Sequence, residues 1–195
     1  YCDFTKRHYL IYDATYFHKE GCFICLMDAL DQTIVAHTYV AKESFQNAYP
    51  WFESLKQKGL NPLSITMDGE QSVMRAVRVT WPKTILQRCL YHIQREGMRW
   101  LRTHPKTQAG SELRALLSRL SAVKSFKDRD FFFDLYHRWL VAHKDSVLSL
   151  PNSTVAFKDL KRTMVLLKNA LPDMFHYLKD QNIHHTTNAL EGFYS

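Results

Sequence analysis

Cysteine is scarce in this 195-residue chain: Cys2, Cys22, Cys25 and Cys89 are too few to build a disulfide scaffold. They suit a reducing compartment. Glycine and proline are equally sparse, at six each, and there is no internal repeat or low-complexity tract, which excludes a collagen-like or disordered chain. No stretch approaches the roughly 18 uninterrupted apolar residues of a membrane span, and no charged-then-apolar signal segment is visible. Neither membrane insertion nor export is therefore expected. What the chain does have is 46% apolar and 13% aromatic residues, enough to close a real core in one large domain or one domain with an insertion. It opens at Tyr1 rather than Met and stops at Ser195 within a helix-like pattern, so a longer protein is expected.

The net charge of +7 is unevenly distributed. Residues 1–96 hold 11 basic and 10 acidic side chains, residues 97–183 hold 15 and 8, and residues 184–195 hold Glu191 alone. The whole excess thus falls on one segment. Lys/Arg-rich surface helices would account for it, and so would a patch that follows a phosphate backbone.

The pattern of side chains changes near the same point. His8 to Phe17, Gly21 to Met27 and Thr33 to Val40 are aromatic and β-branched runs that read as strands. The breaks between them are too short for helical crossovers, so an antiparallel meander is expected. Ser44 opens a helix with Phe45, Tyr49, Phe52 and Leu55 at three- and four-residue steps, ending near Gly59. Leu63 to Met67 predicts a short strand, Gln71 to Val79 a helix stopped by Trp81-Pro82, and Thr84 to Cys89 a fifth strand. From about His92 the pattern is helical, with stripes at Leu113, Leu116, Leu117 and Leu120, then Phe131 to Leu150 and Leu160 to Leu178. The expected fold is therefore α/β, a mixed five-stranded sheet with flanking helices. Residues 1–96 and 184–195 form its core, interrupted by a helical, basic insertion over 97–183.

Three carboxylates stand out. Asp13 lies within the first apolar strand, where an unpartnered charge is costly. Asp68 follows the fourth strand and precedes Gly69, on a turn open to close approach. If the first and fourth strands are neighbours, the two acids lie side by side, an oxygen donor set that suits Mg²⁺ or Mn²⁺. Glu191, three residues after Asn188, reads as the third acid or as the partner in a capping box. Asp68-Gly69 also suits an ordinary turn, and Asp13 a strand-edge residue facing water.

Tyr12-Asp13-Ala-Thr, Met67-Asp68-Gly69, Cys89-Leu-Tyr-His92 and Thr187-Asn188-Ala-Leu-Glu191 together resemble a DDE transposase. They are similar to the Mutator-like elements and the related bacterial insertion-sequence transposases. The resemblance implies a ribonuclease H-like fold in which Asp13, Asp68 and Glu191 are the catalytic, metal-binding triad. It implies two Mg²⁺ or Mn²⁺ ions and metal-dependent strand cleavage and strand transfer at element ends. The implied partner is double-stranded DNA, as element ends and target, held by a homodimer or larger assembly with no membrane involved. The site of action would be the cytoplasm or nucleoid of a bacterium, or the nucleus of a eukaryote. The gaps of 55 positions from Asp13 to Asp68 and 123 from Asp68 to Glu191 leave room for a helical insertion before the glutamate. A domesticated, non-catalytic DNA-binding module or a nuclease on the same fold would keep many of these features.

Two weaker signals remain. Cys89 and His92 have Cys-x-x-His spacing, and His184-His185 could complete a zinc site. Zinc is not expected, and a structural role is, with Cys89 packed at the strand end. In the insertion, Arg99, Trp100, Arg102 and Lys106 are the candidate DNA-binding residues, because an aromatic among cations can stack a base while the charges hold phosphates. Trp139 lies in the pattern of a buried helix and is the weaker stacking candidate.

Overall fold

A computed structural model of the chain describes residues 3–17 and 20–191, for Glu191 the backbone only. Five strands form one mixed sheet: β1 (Tyr9–Phe17), β2 (Gly21–Asp28), β3 (Ile34–Val40), β4 (Ser64–Met67) and β5 (Ile85–Arg88). Their order is β3-β2-β1-β4-β5. Tight connections make β1–β2 and β2–β3 antiparallel, as expected from the short breaks. Helices α1 (Phe45–Gln57) and α2 (Gln71–Thr80) supply the crossovers that let β4 join β1, and β5 join β4, in parallel.

The two faces of the sheet bury different things because alternate residues of a strand leave on opposite sides. On one face Leu10 and Tyr12 of β1, Ile65 and Met67 of β4, and Leu86 of β5 pack against α1 and α2. Helix α1 contributes Ala48, Phe52 and Leu55 at helical spacing, and Phe52 meets the Tyr12 and Trp81 rings with centroids 6.1 and 5.4 Å away. Trp81 ends α2 and anchors the loop before β4 by donating its indole N–H to the Leu60 carbonyl at 2.9 Å. Gly59, with φ +97°, lies just past α1 in the left-handed conformation that the sequence position called for. On the opposite face Ile11, Cys25, Met27 and Ala29 pack against Leu190 of the single-turn helix α7 (Asn188–Glu191). Cys22, Cys25 and Cys89 are buried.

The chain divides into two compact units, one of residues 1–89 and 173–195, the other of residues 90–172. The first holds the sheet with α1, α2 and α7. The second is built from α3 (Leu90–Leu101), α4 (Gln108–Ser118), α5 (Phe126–Leu148) and α6 (Val155–Ala170). Thr107, Ser125 and Thr154 begin α4, α5 and α6 by accepting backbone N–H bonds at 3.0, 3.1 and 3.2 Å. Leu113, Leu116, Leu117 and Leu120 are buried together with Ile93 and Leu101. Gly97 lets α3 approach α4: a Cβ there would lie 2.5 Å from a Leu117 methyl. The unit boundaries fall at 89/90 and 172/173, several residues before the 96/97 and 183/184 boundaries drawn from charge. Counted by these units, the charge separates further. The sheet unit has 11 basic and 12 acidic side chains, the helical unit 15 and 7. No helix among the described residues is long and apolar enough to cross a membrane.

Candidate active site

The central feature is the parallel pairing of β1 with β4. Its register sets Tyr9 opposite Ser64, Leu10 opposite Ile65 and Ile11 opposite Thr66. Two steps beyond the last paired residues lie Asp13, in the middle of β1, and Asp68, just past the end of β4. Asp13 shares the face of Ile11, the face on which α7 packs. Thr66, two residues before Asp68, donates its hydroxyl to the His184 carbonyl at 2.5 Å and so ties β4 to the segment leading into α7. Both aspartates are half-buried. Glu191 is the last residue of α7, and its side chain lies outside the described residues. The helix begins at Asn188 itself, with Thr187 before it accepting from Leu190 N–H at 2.9 Å. Asn188 is thus inside the first turn, one position later than the capping role read from the sequence.

Gly69 gives the Asp68 turn its shape. With φ +107° it holds a conformation that L side chains rarely adopt. The turn lets one Asp68 carboxylate oxygen accept the Glu70 backbone N–H at 3.1 Å, which orients the acid. Glu70 in turn caps α2 through the Ser72 N–H at 3.2 Å.

A carboxylate that the sequence did not single out lies close by. Glu43, half-buried in the loop before α1, accepts hydrogen bonds from the Tyr12 hydroxyl at 3.0 Å and the Tyr16 hydroxyl at 3.4 Å. Burial, and next the charge of Asp68, push its pKa up to about 7, with Glu70 adding to the shift and the tyrosines opposing it. A Lys-Glu-Ser loop carries no signal for this, because the groups that perturb Glu43 come from β1 and the β4–α2 turn.

Among the described residues no group of three or more His, Cys, Asp or Glu is arranged to hold a metal ion. Cys89 is fully buried, and its sulfur accepts from the Thr187 N–H at 3.4 Å and hydroxyl at 3.6 Å. His92 falls in α3, in the helical unit. His184 is half-buried, which lowers its pKa, and the exposed His185 ring lies 4.8 Å from that of Tyr177.

In the helical unit, three of the four candidate DNA-binding residues border α6. Asp159, buried in α6, receives Arg102 Nε at 3.2 Å and Arg162 at 2.7 Å. The Arg162 guanidinium lies over the Trp100 ring, 4.9 Å from its centroid. Trp100, Phe157, Lys158, Lys161 and Arg162 line an open groove, and Lys106 lines a neighbouring one with Arg102. Arg99 is exposed and paired with Glu96 at 2.6 Å. Trp139 is buried, its indole N–H donated to the Ala109 carbonyl at 2.9 Å. Nothing in the sequence distinguishes Lys158, Lys161 and Arg162 from any other surface helix charges.

The raised pKa of Glu43 makes a pH prediction. Between its ordinary value of 4.5 and about 7 the unfolded chain has released the proton while the folded chain keeps it, so stability falls as pH rises through that window. Denaturant midpoints followed from pH 4.5 to 7.5 should show this decline. Glu43→Gln should flatten it, and an unaltered slope would remove Glu43 as its source.

No curated protein matches the chain. A family model described as transposase, Mutator family, matches residues 31–166. The match takes in β4, the Asp68 turn, Cys89, His92 and most of the helical unit, while Asp13 and Glu191 lie outside it. Since it spans well over half the sequence, the chain belongs to the Mutator family of transposases.

Proposed function

We propose that the sheet unit is the catalytic core of a DDE transposase on a ribonuclease H-like fold, cutting and joining DNA with divalent metal ions. The observation that supports it best is the β1–β4 register, which runs β4 out beside the middle of β1, so that Asp68 just past β4 follows the strand next to the one that carries Asp13. Two half-buried carboxylates, which offer oxygen donors, fit Mg²⁺ or Mn²⁺. Asp13, Asp68 and Glu191 would hold the ions. When bound, such ions lower the pKa of a water or bind a 3′-hydroxyl to make the nucleophile, and they stabilise the leaving 3′-oxygen.

The chain's own groups do the positioning. Strand β1, central in the sheet and buried on both faces, holds Asp13 on a rigid element. The Glu70 N–H fixes one Asp68 oxygen. The helical unit carries the cationic excess and would hold the phosphate backbone, through Lys106, Lys158 and Lys161 above all, since these are exposed.

Asp13→Asn and Asp68→Asn should each abolish Mg²⁺-dependent nicking of duplex DNA while leaving binding nearly intact, as read on labelled duplex in gels and by anisotropy. Cleavage by either variant at the parent rate would end the catalytic reading. Replacing Lys106, Lys158 and Lys161 together by Gln should weaken duplex binding. It should also reduce the slope of log K against log salt by up to about 2.7, at roughly 0.9 for each phosphate no longer neutralised. An unchanged slope would place the DNA elsewhere.

A further inference from the structure

Strand β5 ends at Arg88, and Arg88 and Cys89 take partners in two different parts of the sheet unit. Arg88 is 4% exposed. A guanidinium this deeply buried is costly unless it is paired, and a residue retained for packing alone would be better served by an apolar side chain of similar length. Its Nε donates to the Asp68 backbone carbonyl at 3.2 Å. Its guanidinium also fills the space above Gly69, where an added Cβ would come within 2.0 Å of Cζ. The turn and the guanidinium therefore interlock: the positive φ at Gly69 and the missing side chain there are what admit Arg88. Burial disfavours the Arg88 charge, and the carboxylates of Asp68 and Asp173 offset that, Asp173 being itself held by Arg78 at 2.7 Å.

Cys89, the next residue, faces the other acidic element. Its backbone N–H continues the β4 pairing by donating to the Met67 carbonyl at 2.8 Å. Its sulfur receives both donors of Thr187, a fully buried residue immediately before α7. Thr187 in turn accepts from Leu190 N–H, and Leu190 packs in one cluster with Ile11, two residues before Asp13 on β1.

We propose that Arg88 and Cys89 are positioning residues for the candidate metal site: Arg88 props the turn that aims the Asp68 carboxylate, and Cys89 fixes the start of the helix that carries Glu191. One dipeptide at the end of β5 thereby sets the spacing between two of the three acids. The inference rests on the reading of those acids as metal ligands. It assigns Cys89 a hydrogen-bonding role, and it explains why an arginine is buried next to an Asp-Gly turn.

The test is a Mn²⁺ titration of the whole chain, with free Mn²⁺ read by electron paramagnetic resonance, alongside thermal melting. Asp68→Asn should remove the tight Mn²⁺ site of the parent chain. Arg88→Lys keeps a buried cation but loses the planar fork and the Nε bond. It should weaken Mn²⁺ binding about tenfold or more, the usual range for a partner that orients a ligand, with the melting temperature little changed. Arg88→Met should weaken it further. Cys89→Ser keeps an acceptor for Thr187 and should bind nearly as the parent does, whereas Cys89→Ala should bind more weakly. A purely structural role would lower the melting temperature and leave the Mn²⁺ affinity of the folded protein untouched. Parent affinity in Arg88→Lys, with Asp68→Asn still defective, would overturn the positioning role and leave the metal site standing. A parent chain whose Mn²⁺ binding is indifferent to Asp68→Asn would overturn both.

Discussion

The parallel pairing of β1 with β4 is the constraint on which the rest of the sheet unit depends. A parallel neighbour cannot follow β1 directly, because the chain must return to the same end of the sheet before it can run the same way again. The β2–β3 extension and the α1 crossover accomplish that return, and α1 brings Phe52 and its aromatic neighbours onto one face as it does so. Once β4 lies beside β1, its end comes beside the middle of the longer strand, and the acid that follows β4 is carried toward the acid within β1. The same register forces Ile11 and Thr66 onto the opposite face, where α7 and the segment before it are attached.

The chemistry of the strand ends follows from that arrangement. Several carboxylates share a small region near Asp68, and each is managed by a different means. Asp68 accepts a backbone N–H across its own turn, while Glu43 is held by two tyrosine hydroxyls and keeps its proton well above the ordinary carboxylate range. Arg88 supplies a buried positive charge that acts on Asp68. The helical unit manages its charge in the other direction. Buried Asp159 gathers Arg102 and Arg162, and Arg162 lies over Trp100, while Lys158 and Lys161 of α6 are exposed.

Much of this is legible in the sequence, and the exceptions have physical causes. The five strands and the first two helices are readable because each has a clear period and a clear stop: Gly59 after α1, Trp81-Pro82 after α2. Helix α3 starts two residues earlier than its pattern suggests, since Cys89-Leu-Tyr reads as the continuation of an apolar strand. Boundaries drawn from charge miss residues 173–183, which belong with the sheet. Asp180 accepts the Tyr9 hydroxyl at 2.7 Å, and the Gln87 side chain reaches the Met174 carbonyl at 2.7 Å. Charge counting has no access to such contacts. Phe131-Phe132-Phe133 reads as uniform core, yet a helix turns each successive side chain by about 100°, so Phe132 is buried while Phe131 and Phe133 remain exposed. Asp13 can be singled out as a charge within an apolar strand, and Asp68 from a strand end and a turn. Glu43, Arg88 and the Cys89–Thr187 contact cannot, because each depends on partners distant in sequence.

The central claim is that Asp13 and Asp68 hold a divalent cation together. Iron-directed backbone cleavage tests it most directly, because Fe²⁺ in a Mg²⁺ site generates hydroxyl radicals that cut the chain only nearby. The account predicts cuts clustered around residues 13 and 68, suppressed by excess Mg²⁺ and absent from Asp68→Asn. Cuts confined to other segments, or cuts at these positions that Mg²⁺ does not suppress, would contradict it.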